Sequence, residues 1–493
     1  MKNRIWLISL VFVFLSSFYS CENDDDVIEN KITSFGVQLS SNSFTAGTVN
    51  NGTIKLKTLS WIENPRAMVA TFTATGEVRV NGVIQESGIT ANDFSKEVVY
   101  TVTANGKDPV NYTVTLESPQ MSGLPVLNIN TNNAPILDKV NYVPGTVKIV
   151  DNDNESHNVE YPMGIRGRGN STWAYPKKPY RIKLDAKNPV LGLKEEKSWV
   201  LLANYQDPTL MLNNIALELG KRLGLQYTNN YRPVDVFLNG LYQGNYLLTE
   251  QVEVAENRVN VDKKTGFLVE MDAYYDEDWK FKSEVYSLPV MLKSPDYSDA
   301  LDLVIKKAIK DLETALSSPS FPNTNYRDLI DVQSLINYLL VNEIVRNNEP
   351  KHPKSTYMHK EASGKFYMGP LWDFDWTFGY SGSGFIYFNS PKSLVFKAGM
   401  AASDPRPGTM FFCRFFEDPE FCSQYKSRWN QLKETQIKTM LTFIDQQADL
   451  LLKSQLYNFS VWPNNLTYTA EIAKMKTWFE QRIAYLDEEI NKF

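Results

Sequence analysis

Two stretches of this 493-residue chain combine residue types and spacings that suit chemistry on a phosphate group. Residues 164–173 read Gly-Ile-Arg-Gly-Arg-Gly-Asn-Ser-Thr-Trp, and residues 368–379 read Met-Gly-Pro-Leu-Trp-Asp-Phe-Asp-Trp-Thr-Phe-Gly. Backbone N–H groups of a glycine-rich turn can approach a phosphate closely, and neighbouring carboxylates can hold a divalent cation. Together the two stretches predict a site for a nucleotide and a metal ion.

The first stretch places Gly167 and Gly169 beside Arg166 and Arg168. Arginine side chains add bidentate donors for a phosphate, so we assign Arg166, Gly167 and Gly169 to cofactor binding. No Gly-Lys-Ser/Thr sequence follows, which excludes a Walker-type loop. A glycine-rich hairpin without a ligand is the alternative interpretation.

A lysine follows the turn in the run Tyr-Arg-Ile-Lys-Leu at 180–184, which alternates as a strand does. Lys183 on such a strand could reach back to nucleotide phosphates, as the strand lysine of protein kinases does. Lys177 and Lys178 are competing candidates, and a solvated strand face is the interpretation without a ligand.

A phosphate-binding lysine generally needs a carboxylate to position it. Glu218 lies on a helix predicted over 209–223, and we assign it to this role. Glu250, at the end of a predicted strand, is another candidate. A solvated helix position is the alternative interpretation of Glu218.

The second stretch alternates Asp373 and Asp375 with aromatic residues. On an extended segment both carboxylates would lie on one face, with Trp372, Phe374 and Trp376 on the other. Two adjacent carboxylates repel each other and are costly to bury, and Mg²⁺ would relieve that cost. An exposed turn with hydrogen-bonded aspartates is the alternative to this predicted metal site.

Residues 342–358 lead from a predicted helix end to that site. Kinase catalytic loops contain a carboxylate that accepts the substrate proton, followed by an asparagine that binds metal. Glu349 and Ser355 occupy comparable places, so Glu349 is a candidate catalytic residue. Asp373, in the following stretch, is the other candidate catalytic residue. A helix end with a surface loop is the alternative.

Helix-period apolar residues predict a mainly helical second half, with helices over 301–316 and 332–345 and a third around 421–432. The last helix carries an unbroken apolar stripe, formed by Ile472, Met475, Phe479, Ile483, Leu486, Ile490 and Phe493. The preceding part mixes the 209–223 helix with predicted strands at 181–184, 199–203, 233–238 and 246–250.

Residues 31–118 are predicted to be all-β, because 53–57, 98–103 and 110–116 alternate apolar and polar side chains. The segment resembles immunoglobulin- or cadherin-like modules and predicts a small sandwich that acts as a spacer or ligand-binding module. A linker rich in Pro, Ser and Gly follows, so the large domain is predicted over 119–493.

The N-terminus has the order of a lipoprotein signal: two basic residues, an apolar run, a small residue and Cys21. We predict a signal peptide over 1–21, lipidation of Cys21 and a polar tether over 22–30. The protein would be exported and anchored to an outer membrane or cell surface by lipid alone. An ordinary cleaved signal is the alternative.

The net charge of −6, without a basic run, argues against nucleic acid as a partner. None of the three histidines lies in a Ser/His/Asp pattern, which disfavours a histidine-based hydrolase but leaves a two-carboxylate glycosidase open. Cys413 and Cys422 are either buried thiols, the interpretation we favour, or a disulfide of an exported protein.

The ordered blocks at 164–184, 199–207, 236–250 and 368–379 resemble the CotH family of spore-coat-type atypical protein kinases. The resemblance extends from roughly residue 120 to the C-terminus. It implies a two-lobed α+β fold with a helical C-terminal half, ATP and Mg²⁺ at the junction, and phosphate transfer to protein hydroxyls. It also implies that Lys183 contacts the nucleotide and that Asp373 and Asp375 hold the metal.

Three positions differ from the family pattern: Glu349 replaces the usual Asp, Ser355 an Asn and Leu212 an Arg. Because of these differences, two functional hypotheses remain. The first is Mg²⁺- and ATP-dependent phosphorylation of a surface or secreted protein. The second is a catalytically silent, kinase-like scaffold that binds a protein or a surface glycan.

Overall fold

The computed structural model describes residues 30–104, 106–296 and 298–493. Cys21, the predicted signal peptide and most of the predicted tether lie outside the described residues. The chain divides into two compact units. The described part of the smaller unit comprises 30–38, Phe44–Leu56 and Pro65–Leu116, and the larger unit comprises Leu39–Ser43, Lys57–Asn64 and Glu117–Phe493.

The smaller unit is built from β-strands, because short alternating segments bury every second side chain. The strands predicted at 53–57, 98–103 and 110–116 are confirmed. The described strands form one sheet, in which neighbouring strands are hydrogen-bonded in the order β6-β5-β8-β9-β3-β2-β1-β4-β7. Their bounds are β1 Ile32–Ser40, β2 Ser43–Asn50, β3 Thr53–Lys57, β4 Met68–Ala74, β5 Glu77–Val80, β6 Val83–Ile84, β7 Ala91–Asn92, β8 Val98–Thr103 and β9 Val110–Glu117.

The larger unit begins with a closed barrel whose strand order is β10-β11-β12-β13-β14-β16-β15. A parallel pairing of Val126 with Asp235 joins the first strand to the last. The barrel interior is filled by alternate residues such as Ile165, Ile182 and Trp199. The strands are β10 Val126–Asn130, β11 Val143–Val150, β12 Val159–Gly167, β13 Tyr180–Val190, β14 Leu193–Leu202, β15 Tyr231–Leu238 and β16 Leu241–Glu250.

A second, antiparallel sheet of the larger unit has the order β18-β19-β17-β20-β21. Its strands are β17 Phe267–Met271, β18 Lys280–Lys282, β19 Pro289–Ser294, β20 Thr356–Lys360 and β21 Phe366–Met368. Its last two strands follow the 61 residues 295–355, which are mainly helical. The segments that precede and follow β20 are thereby brought to the edge of this sheet. The central strand β17 is buried along its whole length.

Helices dominate the rest of the larger unit, and the predicted helices are confirmed within a few residues of their ends. Their bounds are α1 Leu212–Arg222, α2 Asp299–Ser317, α3 Tyr326–Leu329, α4 Val332–Ile344, α5 Pro407–Phe415, α6 Pro419–Leu432, α7 Met440–Leu451, α8 Ser454–Val461 and α9 Tyr468–Ile490. Short 3₁₀ turns lie at Pro119–Met121, Glu155–His157, Ser171–Ala174, Glu349–Lys351 and Met400–Ala402, and a π-helical turn at Lys433–Ile437.

The helical core continues onto the outer face of the barrel, where Val200, Leu202 and Leu247 pack with the helices. The fold is therefore mixed α+β, with β-structure first and helices toward the C-terminus, as predicted. Cys413 and Cys422 are free thiols, and burial raises the pKa of Cys413 to about 11. Within the described ranges, no helix is both long and apolar enough to cross a membrane.

Candidate functional site

A cavity of about 900 Å³ in the larger unit is bounded by the outer face of β12–β14, the second sheet and the segment after β21. Its wall contains both signs of charge and several aromatic rings. The basic residues are Lys139, Arg166, Arg168, Lys177, Arg181, Lys293 and Lys354. The acidic residues are Glu270, Asp272, Asp276, Glu277, Asp278, Glu349, Asp373 and Asp375. The aromatic residues are Tyr142, Tyr175, Tyr205, Tyr274, Tyr357, Trp372 and Trp376.

The predicted Asp373 and Asp375 both line this cavity, but on a loop and not on an extended strand. Asp373 has a φ of +63°, in the left-handed region, which breaks the regular alternation of side chains. Trp372 and Trp376 consequently line the same cavity, whereas Phe374 is buried in the core. The prediction that all three aromatic residues face away from the carboxylates was wrong.

Asp375 is held by Asn213, the second residue of α1. Asn213 donates from Nδ2 to Oδ1 of Asp375 over 2.9 Å, and its Oδ1 accepts the backbone N–H of Phe374 over 3.0 Å. Burial, followed by the negative charge of Asp373, raises the pKa of Asp375 well above its usual range. A bound cation would reverse that shift, because it would favour the ionised carboxylate.

The two carboxylates fit a hard divalent cation such as Mg²⁺, which prefers oxygen ligands. In the part of the chain that the structure describes, no group of three or more His, Cys, Asp or Glu side chains could hold a metal ion. Asp373 and Asp375 would therefore supply two ligands, and water or a bound substrate would supply the others.

Glu349 lines the cavity at the start of a 3₁₀ turn. Burial, and then the negative charge of Asp373, raises the pKa of Glu349 to about 7. A carboxyl group with that pKa can exchange a proton near neutral pH. The predicted catalytic pair, Glu349 and Asp373, is thus brought together in one cavity.

Ser355 links Asp373 to Asp272, a residue that the sequence patterns did not indicate. The Ser355 hydroxyl donates to Oδ2 of Asp373 over 3.5 Å, and the Ser355 N–H donates to Oδ2 of Asp272 over 3.0 Å. Ser355 has a φ of +44°, in the left-handed region. Asp272 is buried on the segment that follows β17, so only the tertiary fold places it beside Asp373.

The glycine-rich stretch contributes Arg166, Arg168 and Gly169 to the wall, but Gly167 does not line the cavity. Residues 164–167 belong to strand β12, so the predicted turn was wrong for this part of the stretch. A side chain at Gly167 would overlap the Trp173 ring, so this glycine permits close packing. Arg168 places its guanidinium 5.1 Å from the centre of the Trp372 ring. Burial lowers the Arg168 pKa, and the charge of Asp373 opposes that shift.

The predicted pair of Lys183 and Glu218 is not formed. Lys183 is exposed on β13 and does not line the cavity. It lies on the same face of β13 as Arg181 but two residues farther along, so its side chain lies beyond the cavity and is exposed to solvent. Glu218 forms an ion pair with Arg222, one helical turn away, over 2.7 Å. Neither residue is placed to support the roles assigned to it.

The competing lysines have different positions. Lys177 lines the cavity with 1% of its surface exposed, and its Nζ donates to the Asn245 carbonyl and, over 2.8 Å, to Asn458 Oδ1. Burial lowers the pKa of Lys177 to about 7. Lys178 donates to the Trp173 carbonyl over 2.8 Å. The hydrogen bonds of Lys177 fix it between the barrel and α8.

Glu250, the other candidate partner for a lysine, instead faces an arginine. Its Oε1 lies 3.2 Å from Nη1 of Arg258, and both side chains are nearly inaccessible to solvent. The carboxylate also accepts the Asn230 N–H over 2.8 Å. Glu250 therefore stabilises the barrel end and does not line the cavity.

Gln206 organises an aromatic wall that the sequence patterns did not indicate. Its Oε1 accepts hydrogen bonds from Tyr175 Oη over 2.8 Å, Trp376 Nε1 over 3.3 Å and Tyr380 Oη over 3.4 Å. Tyr205 stacks on Tyr175 with 5.5 Å between ring centres. Flat rings held in fixed orientations suit stacking against a planar or cyclic ligand.

Comparison with known families supports a specific assignment. A family model described as CotH kinase protein matches residues 165–486, which is more than half of the chain. The matched range includes the glycine-rich turn, α1 with Asn213, Glu349 and both aspartates of the 368–379 stretch. A search of curated proteins finds no match. The family match, together with the cavity that gathers these residues, shows that this chain belongs to the CotH kinase family.

Proposed function

We propose that this CotH-family protein is an atypical protein kinase that uses Mg²⁺ and ATP to phosphorylate a hydroxyl group on a surface or secreted protein. The observation that carries the proposal is that Asp373 and Asp375 line one cavity with Arg168, the arginine on which their charges act. Carboxylates for a metal and a basic turn for phosphates are the parts that phosphoryl transfer requires.

Asp373 and Asp375 would hold Mg²⁺, with Asn213 fixing the second carboxylate through its hydrogen bond. When bound, the metal would neutralise charge that develops on the phosphoryl oxygens. Arg168 would add a guanidinium, whose planar fork can donate two parallel hydrogen bonds to a phosphate.

Glu349 would accept the proton of the acceptor hydroxyl. Its pKa of about 7 keeps it partly ionised at neutral pH while leaving it basic enough to take a proton. Glu replaces the Asp usual in the family, so the carboxylate extends farther from the backbone. Ser355 contacts Asp373 through its hydroxyl, which supports a positioning role at this place.

Other parts of the proposal concern the whole chain. The barrel and the helical half would form the two lobes of a kinase-like domain over 119–493, and 31–118 would be an immunoglobulin- or cadherin-like spacer. The polar residues after Cys21 support lipidation and export to an outer membrane or cell surface. The acceptor protein would then be found in the same compartment.

Transfer of labelled phosphate from γ-labelled ATP tests the proposal, with the full chain and added surface proteins as acceptors. We expect Mg²⁺-dependent labelling, which Asp373→Asn abolishes and Glu349→Gln lowers by about 100-fold or more. Asp445→Asn, at an exposed ion pair with Lys476, is the matched control and should leave labelling unchanged. Equal labelling by all four proteins, or none by any, would contradict the proposal.

The aromatic wall around Gln206 favours a second candidate, a silent scaffold that binds a protein or a surface glycan. Aromatic rings such as Tyr175 and Tyr205 can stack on the faces of sugars. Glycan binding without nucleotide, lost in Tyr205→Ala, would support this candidate. The absence of binding across glycans and surface proteins would count against it.

A further inference from the structure

Arg166 and Arg181 lie directly opposite each other on the antiparallel strands β12 and β13. Opposed residues of such strands point to the same face, which here is the outer face of the barrel, and both arginines line the cavity. Two like charges in direct opposition destabilise a sheet. An anion bound between them would remove that repulsion.

The hydrogen-bond donors of this pair are largely unused. Within the described residues the Arg166 side chain makes no hydrogen bond or ion pair, and its guanidinium rests 5.1 Å from the centre of the Tyr142 ring. Arg181 donates from Nη2 to Ser198 Oγ over 3.3 Å, and the same atom lies 3.9 Å from Glu253 Oε2. The Nε atoms of both arginines are buried without an acceptor in that part of the chain.

Both arginine side chains are half-buried, and a buried donor without an acceptor, such as each Nε, is unfavourable unless a ligand completes it. Glu253 offsets part of the charge of Arg181. Arg166 forms no ion pair among the described residues, although the charge of Asp138 acts on it electrostatically. Asp373 and Asp375 act on the neighbouring Arg168. The charge of Arg181 also acts on Arg168, so the opposed pair lies in the same cavity as the metal-binding carboxylates, with Arg168 between the two sets electrostatically.

We propose that Arg166 and Arg181 form a subsite for one phosphoryl group, with two guanidinium forks on a single anion. The subsite deepens the proposed kinase function and rests on it only for the source of the phosphate. That source is either the nucleotide or a phosphate already present on the acceptor protein. Arg181 takes the place that the sequence patterns gave to Lys183.

The first test uses inorganic pyrophosphate as the probe, in EDTA, with calorimetric titration of the full chain. We expect binding that weakens at least about tenfold in Arg166→Gln and in Arg181→Gln. Lys183→Gln is the matched control, because it removes the same charge from the same face of β13 outside the cavity. Equal affinity of Arg181→Gln and Lys183→Gln, or no binding by the native chain, would overturn the subsite.

Two further variants separate this inference from the proposed function. Arg181→Lys keeps the charge but lacks the fork, so it should fold normally and still bind pyrophosphate less tightly. Asp373→Asn should retain pyrophosphate binding, since it leaves the arginine pair intact. Pyrophosphate binding that depends on Arg181 in a protein without kinase activity would uphold the subsite and reject the kinase.

The source of the phosphate is resolved by competition. If Mg²⁺-ATP displaces pyrophosphate and binds more weakly to Arg181→Gln, the subsite holds a nucleotide phosphate. If a phosphoserine peptide binds together with Mg²⁺-ATP, and if the Arg181→Gln variant does not bind that peptide, the subsite holds a phosphate of the acceptor. If Arg181→Gln alters the binding of neither ligand, the subsite is wrong.

Discussion

Asn213 on α1 holds both Asp375 and the backbone of Phe374, although about 160 residues of sequence separate them. One amide side chain donates to the carboxylate and accepts from the N–H of the preceding residue. The carboxylate position is therefore set by a helix that packs against the outer face of the barrel. A metal held by Asp373 and Asp375 would depend on this hydrogen bond as well as on the carboxylates.

Replacing Asn213 should weaken Mg²⁺-dependent ATP binding without unfolding the chain. In Asn213→Ala the Asp375 carboxylate loses its described side-chain donor, and we expect a loss of affinity of about 10- to 100-fold in calorimetric titration. Asn214→Ala is the matched control, because Asn214 is adjacent and equally buried but donates to Gln447 over 3.0 Å. Equal affinities of the two variants would contradict the role of Asn213.

The rate of phosphate transfer should depend on the ionisation of Glu349. Burial and the charge of Asp373 raise the pKa of this carboxyl to about 7 in the chain without metal, and Mg²⁺ at Asp373 would lower it toward its usual value. Its ionised, proton-accepting form therefore decreases as the pH falls through a value between 4.5 and about 7. We expect the transfer rate to fall about tenfold per pH unit on the acidic side of that pKa. Glu349→Gln should remove this pH dependence along with most of the rate. A Glu349→Gln profile that parallels the native one would exclude Glu349 as the base.

Ionisation of Glu349, which should increase the transfer rate, should decrease the stability of the fold. A pKa of about 7, above the usual 4.5, means that the folded chain binds this proton more tightly than the unfolded chain. The contribution of the protonated Glu349 carboxyl to the free energy of unfolding is complete below the usual pKa of 4.5. It is lost as the pH rises through about 7. At about pH 8, Glu349→Gln should therefore raise the free energy of unfolding by roughly 1–3 kcal/mol, a gain that shrinks toward pH 5. Urea unfolding at both pH values measures it, and a gain at the lower pH alone would contradict the assignment.

The C-terminal helix α9 is joined to α4 by a fully buried ion pair. Arg482 donates from Nη2 to Oε1 of Glu343 over 2.6 Å, and Glu343 also accepts the N–H groups of Val395 and Phe396. Arg482→Met would leave a buried carboxylate without its cation and should lower the free energy of unfolding by about 3–5 kcal/mol. Lys476→Met, at an exposed ion pair on the same helix, should change it by less than about 1 kcal/mol in the same urea titration. Equal losses in the two variants would contradict this account of α9.

Local sequence patterns were sufficient to predict many of the helices and strands. The apolar stripe of the last helix and the alternation at 53–57 and 98–103 predicted segments that bury one face, and the structure places α9, β3 and β8 there. The closed barrel was not predicted, because its closure depends on the parallel pairing of Val126 with Asp235 across about 109 residues. Periodicity reports which face of a strand is buried but not which strand lies next to it.

For the candidate site, too, the sequence predicted the residues that have a local signal but not those that only the tertiary fold brings together. Residues with unusual local sequence, such as Asp373, Asp375 and the arginines of the glycine-rich turn, do line the cavity. Lys183 was assigned by analogy with the strand lysine of protein kinases. Arg181 lies on the same face of β13 and was not a candidate, because only the tertiary fold decides how far along that strand the cavity extends. Asn213 had no local signal, since a polar residue near a helix start is common.

Calorimetric titration of ATP into the full chain tests the central claim most directly, with Mg²⁺ and then with EDTA, beside the Asp373→Asn/Asp375→Asn double variant. Neutral amides relieve the repulsion between the carboxylates, so the variant should fold at least as stably as the native chain. We predict Mg²⁺-dependent binding by the native chain that weakens at least about tenfold in EDTA and in the variant. ATP binding of equal strength in all three titrations, or no binding by the native chain, would contradict a nucleotide and metal site at these carboxylates.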